Sequence, residues 1–330
     1  MTDAATARGT GMLRTAMGPD VNQALANPHV LEITVNPDGR LWLDHAVSGR
    51  VDTGVCLAHA AVERIIRLVA SQAGRASGAD HPIVSAELPG AGERFEGVLP
   101  PVVREPCFSI RRPAGRVITL DAYVANGVLA PAQAACLRDA VRARRNIVVA
   151  GGASSGKTTL TNALLHEMRD LGHRVLLLED TRELVCEAAD CVALRTQPGR
   201  VTLTDLLRST LRLRPDRIVV GEVRGGEALA LIKAWNTGHP GGVATLHANS
   251  APAALARLEQ LIQEAAAAVD RRLIAEAVDL VVFVGRSETR RRVETLLAVG
   301  GLRPDGSYEI EHLGAKGAVP DHMGEQPHHD

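Results

Sequence analysis

Lysine and aromatic residues are both scarce in this sequence of 330 residues. Only three of its 37 basic residues are lysine, and it holds two tryptophans, two tyrosines and three phenylalanines. The formal net charge is -1. A dedicated nucleic-acid-binding protein uses a basic surface, often with aromatic rings on which bases stack. The composition therefore argues against a nucleic-acid translocase, and it makes the lysine at position 157 notable.

Paired cysteines and long apolar runs are also missing. The five cysteines are odd in number and never occur as Cys-x-x-Cys, which excludes a disulfide framework and a zinc ribbon, so we expect buried, reduced thiols. No run approaches the roughly 18 apolar residues of a membrane span, and the N-terminus lacks the apolar core of a signal peptide. We therefore expect a cytoplasmic protein.

Hydrophobic residues make up 45% of the chain, enough for two domains with buried cores. Residues 33–43, "ITVNPDGRLWL", predict a β-hairpin, and an amphipathic helix and three short strands should follow. This pattern predicts an N-terminal α+β domain over residues 1–115. Strands then alternate with helices, which predicts an α/β domain with a mainly parallel sheet over residues 116–312. Residues 313–330 lack periodicity and should be a disordered tail.

The stretch "NIVVAGGASSGKTTLTNALL" fits the G-x-x-x-x-G-K-[ST] pattern between a predicted buried strand and a predicted helix. Glycines in such a loop let backbone N–H groups point at phosphates, the lysine reaches the β- and γ-oxygens, and the hydroxyl after it holds Mg²⁺. The sequence therefore predicts a site for ATP and Mg²⁺. Its predicted residues are Gly151, Gly152, Ala153, Ser154, Ser155, Gly156, Lys157, Thr158 and Thr159.

Two further predicted strands end on carboxylates. In "LLLEDTREL" the apolar strand ends on Glu179 and Asp180. In "PDRIVVGEVRGGEA" the apolar strand ends on Gly221 and Glu222. Because the carboxyl edge of a parallel sheet faces the ligand, Glu179 and Glu222 are candidates for holding Mg²⁺ through water or for activating the attacking water. The alternative for the first group is a structural cluster of ion pairs.

The stretch "NTGHPGGVATLHANS" places two histidines on either side of a Gly-Gly pair. With no cysteine or carboxylate beside them, a zinc site is disfavoured. A strand "GVATLHA" would bring His247 to the same sheet edge, where its imidazole could contact the γ-phosphate. For His239, a role in the turn and a phosphate contact both remain open.

Taken in order, "GGASSGKTT", "LLLEDTREL", "RPDRIVVGEVRGGEAL" and "TGHPGGVATLHANSA" resemble the Walker A, Asp, Walker B and His boxes of the secretion ATPases of type II and type IV secretion and type IV pili. The length of the chain and the stretch "FEGVLPPVVREPCFSIRRP" are similar to those of the TrbB branch of conjugal transfer ATPases. The resemblance implies a PAS-like N-terminal domain and a RecA-like ATPase domain. It also implies a homo-hexameric ring at the inner-membrane components of a conjugation apparatus.

The resemblance further implies that N-terminal-domain arginines reach the γ-phosphate, and Arg94 and Arg111 are the matching positions. Arg112 replaces Arg111 if the strand register shifts by one residue, and Arg104 is a weaker candidate. The alternative for Arg94 and Arg111 is that each is a solvated surface arginine without a role at the γ-phosphate. An ATP-driven motor is the preferred function, with a pilus retraction ATPase or a nucleotide-gated docking scaffold as alternatives.

Overall fold

The structure is a computed structural model that describes residues 2–45, 48–89, 92–112, 117–197, 199–286 and 291–313. Contacts between residues divide the chain into two compact units, residues 1–115 and residues 116–330. Of the predicted tail, residues 314–330 lie outside the described residues. None of the helices in the described ranges has the length and apolar character needed to cross a membrane.

The first unit is a six-stranded antiparallel sheet with two helices. The sheet has the strand order β3-β2-β1-β6-β5-β4. The elements in chain order are α1 (Thr2–Ala26), β1 (Val30–Val35), β2 (Arg40–His45), β3 (Gly49–Cys56), α2 (His59–Gln72), β4 (Ile83–Glu87), β5 (Arg94–Val98) and β6 (Cys107–Arg111).

The predicted hairpin is confirmed as β1 and β2, which pair antiparallel across the Asn-Pro-Asp-Gly turn. Gly39 closes this turn with a φ of 80°, a left-handed conformation that favours glycine. The predicted amphipathic helix is α2, and its face with Val62, Ile65 and Ile66 is fully buried against the sheet. The apolar spacing in this helix therefore builds the core of the unit.

The helix α1 was not predicted from the sequence. It contains Pro19, and Gly18 before it has non-helical angles (φ 70°, ψ 179°), so the helix kinks there. Leu13 and Met17 precede the kink, Val21 and Ala24 follow it, and all four are buried in the core of the first unit. The signal is weak because Gly9, Gly11, Gly18 and Pro19 disfavour a helix on propensity alone.

The second unit is an eight-stranded mixed sheet covered by helices. Its elements are α3 (Leu120–Ala125), α4 (Pro131–Arg142), β7 (Ile147–Gly151), α5 (Lys157–Met168), β8 (Val175–Glu179), β9 (Cys191–Arg195), α6 (Leu203–Thr210), β10 (Arg217–Val223), α7 (Glu227–Asn236), β11 (Val243–His247), α8 (Ala251–Gln263), α9 (Arg271–Ala277), β12 (Leu280–Arg286), β13 (Arg291–Leu302) and β14 (Tyr308–His312).

The strand order is β14-β13-β12-β7-β11-β10-β8-β9, and the six strands from β12 to β9 are parallel to one another. The mainly parallel sheet is therefore confirmed, with β13 and β14 added antiparallel at one side. Ile147 and Val149 of β7 pack under α3, α4 and α5, whereas Val148 and Ala150 face the helices α6 to α9. Because both faces are covered, the central strands are nearly continuous apolar runs.

The expectation of buried thiols is wrong. Cys56 is exposed and the other four cysteines are half-buried, all without a disulfide partner. Cys56 ends β3, which lies at the edge of its sheet, so one side of the residue has no neighbouring strand to cover it.

Candidate functional site

The predicted phosphate loop lies at the carboxyl end of β7 and leads directly into α5. A Cβ on Gly151 would lie 2.5 Å from the carbonyl oxygen of Val284, so only glycine fits there. Gly156 precedes the helix with a φ of 102°, and Ser154 has a φ of 56°. These left-handed residues let the loop turn back on itself before the helix begins. The crest, from Gly152 to Ser154, is exposed.

Lys157 is the first residue of α5, and its side chain turns back under the loop. Its ammonium donates hydrogen bonds to the carbonyl oxygens of Gly151 (3.0 Å) and Gly152 (2.9 Å). The residue is only 8% exposed, which is rare for lysine. A positive charge held at the N-terminus of a helix, where the backbone N–H groups of the first turn point outward, forms a site suited to an anion.

Thr158 and Thr159 follow on the first turn of α5 and are half-buried. The hydroxyl of Thr158 donates to Oε2 of Glu183 at 3.2 Å. The sequence analysis assigned no protein partner to Thr158, although Glu183 lies within the Asp box "LLLEDTREL". A hydroxyl beside a carboxylate supplies oxygen ligands of the kind that Mg²⁺ prefers, so these residues fit a magnesium ion.

Glu179 is the last residue of β8 and is 4% exposed. Its Oε1 accepts hydrogen bonds from the backbone N–H groups of Glu183 and Leu184, both at 2.8 Å. Burial raises the pKa of its carboxyl to about 7, even though the two N–H donors oppose the shift. A carboxyl that exchanges its proton near neutral pH is suited to acid–base chemistry.

Glu222 and His247 meet at the same edge of the sheet, from the neighbouring parallel strands β10 and β11. Nε2 of His247 lies 2.7 Å from Oε1 of Glu222 and 3.5 Å from the ammonium of Lys157. The first contact is at ion-pair distance, yet within the described ranges Oε1 of Glu222 has no hydrogen-bond partner. The structure thus brings Lys157, Glu222 and His247 together.

His247 is half-exposed and sits between charges of opposite sign. Desolvation and the neighbouring ammonium of Lys157 lower the pKa of its imidazole, while the carboxylate of Glu222 works in the opposite direction. A largely neutral imidazole can accept from Lys157 or donate to an incoming anion, depending on its tautomer.

Sequence reasoning missed Arg224, which follows β10. Its guanidinium donates to Oε2 of Glu222, with Nε at 2.8 Å and Nη2 as a second donor. Ser155 was predicted as a residue of the phosphate loop, but the state of its hydroxyl was not. Its Oγ is buried in the loop and has no hydrogen-bond partner in the described part of the chain. The sequence held a signal for Arg224, since an arginine two positions after a strand-end glutamate points to the same edge.

His239 lies in the connection between α7 and β11, before the strand, whereas His247 ends it. Since β11 is parallel to β7, this connection is at the amino edge of the sheet and the phosphate loop is at the carboxyl edge. The structure therefore does not bring His239 to the loop of its own chain.

Arg94 and Arg111 belong to the first unit, where they face each other directly on the neighbouring strands β5 and β6. Arg112 donates to the backbone oxygen of Asn27, so it ties the end of β6 to the segment after α1. Arg104 is exposed in a turn. The register therefore groups Arg94 with Arg111 and gives Arg112 a structural contact.

The chain is similar to known proteins over most of its length. A family model described as type II/IV secretion system protein matches residues 78–319. A protein described as probable conjugal transfer protein TrbB, from Sinorhizobium fredii, is 49% identical over 301 residues, covering 91% of this chain and 92% of that protein. A type IV secretion system protein PtlH homologue from Bordetella bronchiseptica is 35% identical over 318 residues, covering 84% of this chain and 93% of that protein.

Among solved structures, the pilus retraction motor PilT with bound ADP aligns with a TM-score of 0.58 over 88% of this chain and 80% of that chain. At 16% identity, this likeness shows a shared fold alone. The family match spans more than half of the chain, and the similarity to the conjugal transfer protein covers nearly all of it. The chain therefore belongs to the type II/IV secretion system protein family.

Proposed function

We propose that this protein hydrolyses ATP with Mg²⁺ as a ring-forming motor that powers a conjugal transfer or type IV secretion apparatus. The observation that carries the proposal is the cluster at the carboxyl edge of the second unit's sheet. There the buried Lys157 lies at the start of α5, 3.5 Å from His247, which is itself 2.7 Å from Glu222. A phosphate cradle, a carboxylate and an imidazole at one edge are the parts that phosphoryl transfer to water needs.

The loop residues 151–156 and Lys157 hold the phosphates in this proposal. Phosphate oxygens replace the carbonyl oxygens of Gly151 and Gly152 as partners of the ammonium. Thr158 would hold Mg²⁺, and Glu179 and Glu222 would contact it through water. When bound, Mg²⁺ neutralises charge on the phosphate oxygens.

Two carboxylates, the buried Glu179 and the half-buried Glu222, prepare the attacking water. Glu222 is held from one side by Arg224 and faces His247 on the other, so its position is fixed. Glu179, whose pKa is raised to about 7 by burial, is suited to take up a proton near neutral pH. His247 contacts the γ-phosphate and reports whether it is present. Arg94 and Arg111 supply positive charge to the γ-phosphate, a contribution worth roughly 10³- to 10⁵-fold in rate in related chemistry.

The assembly belongs to the same proposal. A homo-hexamer of subunits, each with a PAS-like N-terminal domain and a RecA-like ATPase domain, would work at the cytoplasmic face of the inner membrane. Its partners would be the inner-membrane components of a conjugation or type IV secretion apparatus. The similarity to conjugal transfer and type IV secretion proteins supports this location and these partners. The 49% identity to a conjugal transfer protein of Sinorhizobium fredii favours conjugal transfer over pilus retraction.

The proposal is tested by the Mg²⁺-dependent ATPase rate per subunit, measured over a wide range of protein concentration with Lys157→Ala as the blank. We expect a rate that rises steeply with concentration and is absent in the blank, because assembly completes the site. A rate equal to the blank at every concentration would overturn hydrolysis and leave a nucleotide-gated docking scaffold. Sedimentation of the same samples shows whether a ring has formed.

A further inference from the structure

We propose that Arg224 is a positioning residue that sets the place of Glu222 by linking the carboxyl ends of β10 and β8. The inference rests on the proposed ATPase function, and it gives a role to Arg224, a residue of the Walker B box to which the resemblance assigned none. Arg224 follows the last residue of β10, and its side chain lies at the same sheet edge as Glu222 and Asp180.

The guanidinium of Arg224 divides its donors between two strands. Nε and Nη2 donate to Oε2 of Glu222, while Nη1 lies 3.7 Å from Oδ2 of Asp180, the residue after β8. The other oxygen of Asp180 accepts from the hydroxyl of Thr196 at 2.9 Å, so this carboxylate is held from both sides. The planar fork of arginine suits such a bridge, whereas lysine offers a single point charge.

The backbone around Arg224 is fixed as well. Oε1 of Glu227, the first residue of α7, accepts from the N–H groups of Arg224 (2.7 Å) and Gly225 (2.9 Å). A Cβ on Gly226 would lie 2.8 Å from the methyl of Ala265, which keeps this segment close against the end of α8. The side chain of Arg224 therefore starts from a rigid position, although half of it is exposed.

The bridge places the positive charge of Arg224 between two carboxylates. Glu222 and Asp180 come from adjacent parallel strands, and two carboxylates at one edge repel each other. The guanidinium between them offsets this repulsion beside the phosphate loop. With Oε2 held by Arg224, the remaining oxygen of Glu222 is directed towards His247. Arg224 thus selects which oxygen of Glu222 faces the reaction.

The test compares Arg224→Gln with Arg257→Gln, a matched control. Arg257 on α8 is near enough to lower the pKa of His247, yet its guanidinium donates to Gln260 rather than to a carboxylate of the site. We expect Arg224→Gln to lower kcat about 10- to 100-fold, as for residues that orient another catalytic group. The affinity for a fluorescent ATP analogue should change equally in both variants, and kcat of Arg257→Gln should stay within about twofold of wild type.

Further measurements separate a loss of positioning from a loss of folding. Arg224→Lys should recover part of kcat, and guanidinium ion should restore Arg224→Ala more than methylammonium does, which repair of folding would not produce. In a double-mutant cycle, Asp180→Asn should cost less in the Arg224→Gln background than in wild type. Thermal unfolding of each variant identifies any that fails to fold, and in that case Asp180→Asn alone must lower kcat.

Several outcomes would overturn the inference. Equal kcat values for Arg224→Gln and Arg257→Gln would show that only general charge matters. A strictly additive cycle would show that Arg224 does not act through Asp180. An inactive wild type would overturn the proposed function together with this inference, whereas an active wild type with an unaffected Arg224→Gln overturns this inference alone.

Discussion

Polar side chains line both edges of the second unit's sheet, at the amino ends and at the carboxyl ends of its central strands. At the amino edge, Asn146 is 3% exposed and both of its amide atoms are bonded. Nδ2 donates to the oxygen of Ala277, and Oδ1 accepts from the N–H groups of Gly241 (2.8 Å) and Gly242 (3.0 Å). One side chain thereby joins the segments that enter three adjacent strands, β11, β7 and β12.

Arg217 behaves in the same way at the amino edge. It is fully buried, and its three nitrogen atoms donate to Nδ1 of His173, the oxygen of Gly241 and the oxygen of Val141. At the carboxyl edge, in contrast, the described residues leave Oε1 of Glu222 and Oγ of Ser155 without hydrogen-bond partners. Among the described residues, Nε of Arg144 and Nδ1 of His239 at the amino edge also lack partners, so the complete bonding of Asn146 and Arg217 marks these two side chains as structural and not the whole edge. The partly bonded polar atoms of Glu222 and Ser155 stand beside the phosphate loop, where a ligand can complete them.

The largest expected effect is the loss of turnover in Lys157→Ala. The ammonium at the phosphate loop stabilises negative charge in the transition state, so its removal should lower kcat by at least about 100- to 1,000-fold. In the nucleotide-free protein it donates to the carbonyl oxygens of Gly151 and Gly152, and each such hydrogen bond contributes about 1 kcal/mol, so the free energy of unfolding should fall by about 1–2 kcal/mol. ATPase assays measure the loss of kcat, and urea unfolding measures the change in the free energy of unfolding. A large loss of stability would contradict the contrast between the edges.

Asn146→Ala should show the reverse pattern. It leaves the N–H groups of Gly241 and Gly242 and the oxygen of Ala277 without their partner in a buried place. We expect unfolding to become easier by about 3 kcal/mol, with kcat per folded subunit nearly unchanged. Urea unfolding and active-site titration with a tight-binding ATP analogue measure these quantities. A low kcat in fully folded protein would give the amino edge a catalytic role.

Glu179→Gln should make stability less dependent on pH. The pKa of this carboxyl is about 7 in the folded protein and about 4.5 when unfolded, so the folded state binds more protons between these values. Stability of the wild type is therefore reduced as pH rises from about 4.5 to about 7, and the penalty is complete above pH 7. Glutamine keeps an oxygen for the N–H groups of Glu183 and Leu184 without the charge.

Unfolding of the Mg²⁺-free, nucleotide-free protein should show Glu179→Gln to be more stable than wild type by about 1–3 kcal/mol at pH 8, and by less at pH 5.5. Asn146→Ala is the control, since its loss of stability should be the same at both pH values. A difference between Glu179→Gln and wild type that is constant with pH would mean that the carboxyl does not titrate in this range.

The contrast between the edges also explains how much the sequence could predict. Apolar runs and turn residues sufficed for the central strands and for α2, because local pattern and burial agree there. Lys157, Glu222 and His247 were found because their motifs sit at strand ends, and parallel strands bring such ends together. The anchoring by Asn146 and Arg217 was not predicted, since it depends on partners 24 to 131 residues away in the chain.

Neighbours across the sheet also explain what was missed at the site. Arg224 contacts Asp180 only because β8 and β10 are adjacent, an order that periodicity does not reveal. Thr158 contacts Glu183 through a connection of irregular shape after β8. The helix α1 was missed because its glycines and proline conflict with its tertiary role.

The smallest expected effect compares two buried hydroxyl groups. Oγ of Ser155 has no partner among the described residues, while the hydroxyl of Thr210 on α6 donates to the oxygen of Leu206 at 2.7 Å. Ser155→Ala should leave nucleotide-free stability unchanged or raise it by less than about 1 kcal/mol, because an unbonded buried hydroxyl is removed. Thr210→Val should cost about 1 kcal/mol. If Ser155→Ala costs as much as Thr210→Val in urea unfolding, Oγ of Ser155 is satisfied in solution, and its contrast with the fully bonded side chains of Asn146 and Arg217 would be lost.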